Sequence, residues 1–447
     1  MEQDLTTGSV FKRIVYFSLP YLLSYFLQTL YGMADLFITG QFYGVDTITA
    51  VSNGSQIMHM MTVIIVGLAM GTTVTIGHSV GAKCMEQAEK IIGNTITLFM
   101  GIAVAFTVIL VVLVKLIVVL IATPQEAVAG TSIYLLICFI GIPFITAYNI
   151  ISSIFRGLGD SKSPMYFIGI ACVMNIALDY LFMGAFHMGA AGAALGTVCA
   201  QTFSVLVALW VIRRRKTGIS LKKSDFKIER AVIGQVLKIG IPVALQDGFI
   251  QVAFMIITVI ANSRGVSDAA AVGVVEKVIS ALFIVPSSML ATVSALSAQN
   301  LGAGKEKRAT DTLHYATVIT TIYGMIVAVL IQFIAENVVG IFTSDTTVVT
   351  MGSAYIRSYI WDCIFAGIHF SFSGYFAACG KSYIGFLHNI ISITFVRVPG
   401  SYLASKYFTD TLYPMGLAAP AGSLVSVAIC VTAFILLKRK SRVAQTA

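Results

Sequence analysis

The sequence predicts an all-α integral membrane protein of about twelve transmembrane helices, arranged as two six-helix bundles related by an internal pseudo-two-fold repeat. Three observations carry this. Of the 447 residues, 57% are hydrophobic and only 11% charged, and a mean hydropathy of +0.89 is outside the soluble globular range. Apolar stretches long enough to cross a hydrocarbon core of about 30 Å recur along the chain. The two halves can also be laid over one another.

Charged and Gly/Pro/Asn-containing breaks place spans near 14–38, 50–78, 92–122, 130–153, 164–184, 190–212, 236–262, 270–298, 312–342, 350–378, 383–404 and 416–437. No small-residue cleavage site follows the first, so it reads as a retained helix and not a signal peptide. The seven cysteines (Cys84, Cys138, Cys172, Cys199, Cys363, Cys379, Cys430) stand singly, without metal or redox spacing, and are expected to pack.

Lys and Arg crowd alternate loops: Lys12 and Arg13 at the amino terminus, then Lys83 and Lys90, Arg156 and Lys162, Arg213 to Lys216 with Lys222, Lys223, Lys227 and Arg230, then Lys305, Lys307 and Arg308, Lys381, and Lys438 to Lys440 with Arg442. The odd-numbered loops hold only Arg264 and Lys406. The positive-inside rule then puts both termini in the cytoplasm of an inner, plasma-membrane protein. The formal charge of +9 is a topology signal on short loops facing anionic lipid, and no nucleic-acid partner is expected.

The basic segment 213–232 separates an amino-terminal bundle, 1–212, from a carboxyl-terminal bundle, 233–447. SLPYLL at Pro20 matches GIPVAL at Pro242, SVGAKC at Gly81 matches NLGAGK at Gly302, Tyr134 matches Tyr355, Gly159 matches Gly380, and HMGAAGAA at Met188 matches PMGLAAPA at Met415. The offsets are 222, 221, 221, 221 and 227, which is a duplication with one longer late loop. Each half has an even number of spans, so the copies are expected to be related by an axis along the membrane normal, with substrate bound between bundles that rock.

Polar residues at membrane depth supply the chemistry. Asp35 follows Pro20 by fifteen residues and Asp179 follows Pro164 by fifteen, which lifts each carboxylate roughly 22 Å along an outward helix. Asn175 is one turn below Asp179, and Thr197 lies about 12 Å along the next, inward span. Two carboxylates, an amide and a hydroxyl are hard oxygen ligands for Na⁺; the same carboxylates, desolvated together, can carry a proton. The bland alternative is that the acids merely tie helices together, which is costly without a basic partner. The repeat argues against that alternative, because Asp35, Asp179, Asn175 and Thr197 correspond to Ile257, Ser401, Arg397 and about Leu424. One ion site, in the first bundle, is expected.

The proline-then-aspartate first span (Pro20, Asp35), the Asn175/Asp179 pair with Thr197 eighteen residues on, the GAK-type second loop and FRGLGDSKSP at 155–164 together resemble multidrug and toxic compound extrusion (MATE) transporters over essentially the whole chain. The resemblance implies a V-shaped, two-bundle fold of the MOP type. It also implies an antiporter that expels organic cations and other amphipathic drugs against inward Na⁺ or H⁺. Residues matching Asp35, Asn175, Asp179 and Thr197 would hold the ion, and Pro20 would permit the first span to bend. Where some MATE proteins carry a mid-span-seven glutamate this chain has Gln251, so it is more similar to the DinF-like than to the NorM-like branch. Gln28, Tyr31, Asn149 and Gln201 resemble cavity positions, as does Gln251. Asp362 is expected to be structural or cavity-lining, with Arg357 its candidate partner, and Glu276 and Lys277 are expected to snorkel to water.

No phosphate-binding loop is present, so no ATP and no cofactor is expected beyond the coupling cation, H⁺ or Na⁺. The rival reading is a flippase for a lipid-linked oligosaccharide precursor, which calls for a more basic cavity than Arg357, Arg397, Lys115 and Lys277 supply. An enzyme is not expected: the six histidines are dispersed. The chain is expected to work as a monomer in the lipid bilayer.

Overall fold

The computed structural model describes residues 4–214 and 220–446, with side chains up to 439. Lys216 of the basic linker, Lys440 and Arg442 lie outside the described side chains. All regular structure among the described residues is helical, and it forms twelve rods. The first half has α1 (Val10–Phe42), α2 (Val45–Gly81), α3 (Met85–Leu120), α4 (Gln125–Ile140 with Ile142–Gly157), α5 (Lys162–Ala185) and α6 (Gly189–Arg214). The second has α7 (Arg230–Asn262), α8 (Val266–Gly302), α9 (Glu306–Gly340), α10 (Thr346–Tyr359 with Asp362–Ala378), α11 (Ser382–Ser392 through Ile393–Arg397 to Val398–Tyr407) and α12 (Tyr413–Thr446). Eight of the helices are by themselves long and apolar enough to cross a membrane, and α4, bent by 51° at its break, makes a ninth. α1 falls short in hydropathy because it carries Ser24, Gln28, Thr29 and Asp35 among its apolar residues.

Local chemistry explains the rods and their ends. With no water in the hydrocarbon core, backbone groups must be satisfied within each helix, and hydroxyls join in by bonding one turn back: Thr62 to Met58, Thr75 to Gly71, Thr320 to Ala316 and Ser371 to Gly367. The motif at 155–164 is a helix stop and start. Gly159 takes φ +92°, and its repeat mate Gly380 takes +68°, a conformation in which a side chain is strained. Asp160 Oδ1 then accepts the amides of Lys162 and Ser163 at 2.9 and 3.0 Å, capping α5. Arg264, one of the two odd-loop basic residues, is committed to structure: it pairs with Asp268 at 2.6 Å and donates to the carbonyls of Ser405, Phe408 and Thr409.

The basic linker is docked. Asn94 of α3 donates to the Asp225 carbonyl at 3.0 Å and accepts the Glu229 amide at 2.7 Å, while Thr97 donates to Phe226. A Cβ on Gly93 would overlap the Asp225 carbonyl, so this docking requires glycine there.

By packing, one unit comprises residues up to 7, 15–244 and 298–304; the other comprises 8–14, 245–297 and 305 onward. The first half of α7 and the last turn of α8 thus belong with the first unit. Small residues are the reason: a Cβ on Gly71 would overlap Val236 O, and one on Gly240 would overlap Leu68 O. The repeat mates Gly81 and Gly302 likewise face Gln299 O and His78 O, close enough that neither tolerates a Cβ. Replacing Gly302 with Val should therefore destabilise the fold by about 1–3 kcal/mol, as overpacking typically does, and lower the thermal unfolding midpoint in detergent. An unchanged midpoint in scanning fluorimetry would show that these backbones separate freely.

Candidate functional site

Three helices of the first unit, α1, α5 and α6, bring the four proposed ion residues together. Asp35 is 2% exposed, Asn175 and Asp179 0%, and Thr197 8%. The Thr197 hydroxyl donates to Asp35 Oδ2 at 3.3 Å, and Asn175 and Asp179 are direct neighbours of the same carboxylate. Thr39, one turn beyond Asp35, donates to the Asp35 carbonyl at 2.6 Å and leans on Met183 Sδ at 3.5 Å. Immediately after Asp179 the helix widens into a π-turn, Tyr180–Ala185. Such a wide turn breaks the ordinary ladder at the site itself.

The site owes its space to Gly196. A Cβ there would overlap Asp179 Oδ1 and lie 3.6 Å from Asn175 Nδ2, so only glycine lets α6 approach the two polar side chains. Thr197 is its immediate neighbour. Tyr31, one turn before Asp35 on α1, reaches toward Asp35 and Thr197, and Tyr134 of α4 borders the same group. Tyr134 is 2% exposed, and its ring lies where a Cβ on Gly54 would be.

Six buried polar atoms at this place have no hydrogen-bond partner: Asp35 Oδ1, both amide atoms of Asn175, both carboxylate oxygens of Asp179 and the Tyr31 hydroxyl. Among the described residues, no basic side chain stands among the neighbours of either acid. Unpaired buried carboxylates are expensive in a membrane interior; a bound cation, or a proton held between the two carboxylates, relieves that cost. The donor set is oxygen throughout. No group of three or more His, Cys, Asp or Glu residues suited to a metal exists among the described residues, so the site fits a monovalent ion or proton better than a transition metal.

The remaining candidates distribute as follows. Pro20 lies inside an uninterrupted α1, where Ser24 Oγ donates to its carbonyl at 2.8 Å and Arg156 stacks on the next residue, Tyr21, at 3.9 Å. Gln201, one turn past Thr197 on α6, has a buried Oε1 without a partner. Gln28 is half-buried on α1. Asn149 spends its amide on Ile145 O of its own helix at 2.8 Å. Gln251, half-buried, and Asp362, fully buried, belong to the second unit.

Two expectations are corrected there. Arg357 is not the partner of Asp362: it binds Gln332 O at 3.2 Å and Glu336 at 3.3 Å on α9, and the basic neighbour of Asp362 is Arg397. The spacing of five residues points Arg357 and Asp362 to different faces across the break in α10. Glu276 does not snorkel beside Lys277. It turns inward, accepts from Thr258 at 3.3 Å and neighbours Arg397, because a buried guanidinium is within reach.

Sequence reasoning missed Gly196, Thr39, Met183 and Tyr134. Only Gly196 had a signal, its adjacency to Thr197. Gly196→Ala is expected to destabilise the fold by about 1–3 kcal/mol through displacement of Asp179, read as a lower thermal midpoint in detergent. Gly169→Ala on α5, where a Cβ meets only Leu27 at 3.8 Å, should be neutral or stabilising by up to about 1 kcal/mol. Equal effects of the two substitutions would remove the steric argument.

Comparison with known proteins agrees with the fold and the repeat. The profile of the MatE family matches residues 20–181 and 242–403, two copies 222 residues apart. The chain is 30% identical over 415 residues to the probable multidrug resistance protein YpnP of Bacillus subtilis (strain 168), covering 93% of each. It is 23% identical to the multidrug export protein MepA of Staphylococcus aureus (strain MSSA476), covering 83% and 82%. Among solved structures, a MATE protein in the straight conformation superposes with a TM-score of 0.90 at 20% identity over 99% of each chain. An outward-facing multidrug resistance MATE transporter of the MOP superfamily superposes with a TM-score of 0.91 at 20% identity, covering 100% and 99%. The chain therefore belongs to the MatE family, and it is a multi-pass membrane transporter and not an enzyme.

Proposed function

We propose that the chain is a secondary active antiporter that exports cationic or amphipathic organic compounds in exchange for Na⁺ or H⁺ entering the cell. The observation that carries this reading is the polar group on α1, α5 and α6 built around two buried acids, Asp35 and Asp179, present in one repeat and lost from the other. Relatives named for multidrug resistance and export support the substrate class. The distribution of Lys and Arg supports a plasma (inner) membrane protein with both termini cytoplasmic, working as a monomer.

In this reading Asp35 and Asp179 hold the charge of the coupling ion, while Asn175 and Thr197 complete its oxygen shell when the ion is Na⁺ or orient the carboxylates when it is H⁺. Tyr31 and Gln201, each one helical turn from an ion residue, are proposed to line the substrate cavity beside it. Gln28, Asn149, Gln251 and Asp362 are proposed to line the substrate path, and Pro20 to let α1 bend. Exchange requires that ion and substrate favour opposite conformations or compete for the same carboxylates, since a ligand shifts an equilibrium only through its differential affinity.

Efflux of a fluorescent organic cation from proteoliposomes, with ΔpH and ΔNa⁺ imposed separately, tests the reading and identifies the ion. Asp35→Asn and Asp179→Asn should each abolish gradient-driven efflux while leaving the folded yield intact. Undiminished transport in both would sink the ion-site assignment.

A further inference from the structure

The repeat position of Asn175 is filled in the second unit by Arg397. This exchange sits inside a cluster that mirrors the first in kind but not in charge. Arg397 ends a π-turn in α11, Ile393–Arg397, as Asp179 precedes one in α5. Its guanidinium donates to the Tyr359 hydroxyl and lies over the rings of Phe254 and Tyr359, 5.1 and 5.5 Å from their centroids.

Two acids accompany it. Asp362 is 0% exposed and neither of its oxygens has a hydrogen-bond partner; Glu276 has Thr258 on one oxygen and nothing on the other. Both count Arg397 as their charged neighbour. No ion pair within 4.0 Å joins the guanidinium to either acid among the described residues, so the three charges share one buried field and not a bidentate bridge. The other equivalents of the ion site have become inert: Ile257 is buried in an apolar core, and Ser401 is a buried hydroxyl.

We propose that Arg397 is a tethered cation, a covalent occupant that takes in the second unit the place the exchangeable ion takes in the first. This rests on the ion-site reading above and adds to it that one coupling site operates per chain. The physical requirement is the same in both units: two carboxylates at membrane depth need a positive charge. In the first unit only a mobile cation can supply it, because no basic side chain is near. In the second the guanidinium supplies it permanently, held over the rings of Phe254 and Tyr359 and by the Tyr359 hydroxyl. A fixed charge cannot be exchanged, so the second unit carries no ion across.

The test restores the amide. In an Asp35→Asn background, which removes the first site, Arg397→Asn leaves Asp362 and Glu276 without their cation and recreates the residue type of the working repeat. The titratable neighbours of Arg397 are Asp362, Glu276, Tyr355, Tyr359 and His369, of which only the first two are carboxylic acids. The thermal midpoint of the purified double variant in detergent is expected to rise with added Na⁺ or with acidification, as a newly created ion site requires. Asp35→Asn alone should show no rise with Na⁺ and only the smaller acid response of its remaining buried carboxyls, Asp179 and Asp247 among them, and adding Asp362→Asn, which returns the cluster to its original net charge, should remove the increment that Arg397→Asn created. If Arg397→Asn does not fold, Asp362→Asn in the same chain should recover it. A folded double variant whose midpoint responds to Na⁺ and to pH no more than that of Asp35→Asn alone, or a misfolded one that Asp362→Asn does not recover, overturns the proposal. Na⁺ dependence surviving in Asp35→Asn alone would instead count against the first-unit assignment, so the two failures are separable.

Discussion

Everything near the centre of the first unit depends on one electrostatic constraint: Asp35 and Asp179 are buried together without a basic partner. In water two carboxylates at this separation repel weakly. In a membrane interior both desolvation and repulsion are strong, and neither residue has a counter-charge to offset them. The surrounding structure can be read as what makes this arrangement geometrically possible. Gly196 brings α6 against Asp179, the π-turn after Asp179 loosens the helix that carries it, and Thr39 and Met183 fix the turn of α1 that carries Asp35. Elsewhere in the membrane-spanning helices many hydroxyls close onto carbonyls one turn back, and among the described residues six of the unpartnered buried polar atoms gather at this one place. The contrast marks the site as a place that is incomplete by itself.

The repeat separates what packing constrains from what function can change. Gly81 and Gly302, and Gly159 and Gly380, keep their roles at equivalent positions because backbone lies where a Cβ would go, or because φ is positive. The break in α4 at Gly141 recurs in α10 at Ile360–Trp361, one or two residues short of the offset of 221. Side chains that only carry charge have diverged at the same time. A glycine at a close backbone approach has no substitute, whereas a buried positive charge can come from an ion or from an arginine.

That division also governs what was legible in the sequence. The spans, the duplication and the depth of Asp35, Asn175, Asp179 and Thr197 follow from hydropathy, offset and helical rise, and these one-dimensional quantities survive folding. Partner choice does not. Arg357 lies closer in sequence to Asp362 than Arg397 does, yet it faces α9, because the break in α10 resets the helical phase between them. Glu276 looked free to reach water, since nothing local says that a guanidinium 121 residues away shares its pocket. The docking of the linker on Asn94 was illegible for a related reason: a lone polar residue near a helix start is ordinary, and only its two backbone partners reveal its use.

The two units therefore differ in what can alter their charge. In the second, the cluster of Arg397, Asp362 and Glu276 has its positive member built in, and no change in the surrounding ion concentration alters that member. In the first, under the proposed ion site, the charge at Asp35 and Asp179 is set by whatever is bound, so the free energy of any conformation that reshapes this site depends on ion concentration. An ion gradient can drive a cycle only through a site whose occupancy changes between states with different affinity. The unpartnered oxygens of Asp35, Asn175 and Asp179 are the atoms whose contacts are free to differ in that way. On that proposal directionality resides in one unit while the other keeps its positive charge fixed at Arg397, and a duplicated chain needs only one of its copies to be responsive.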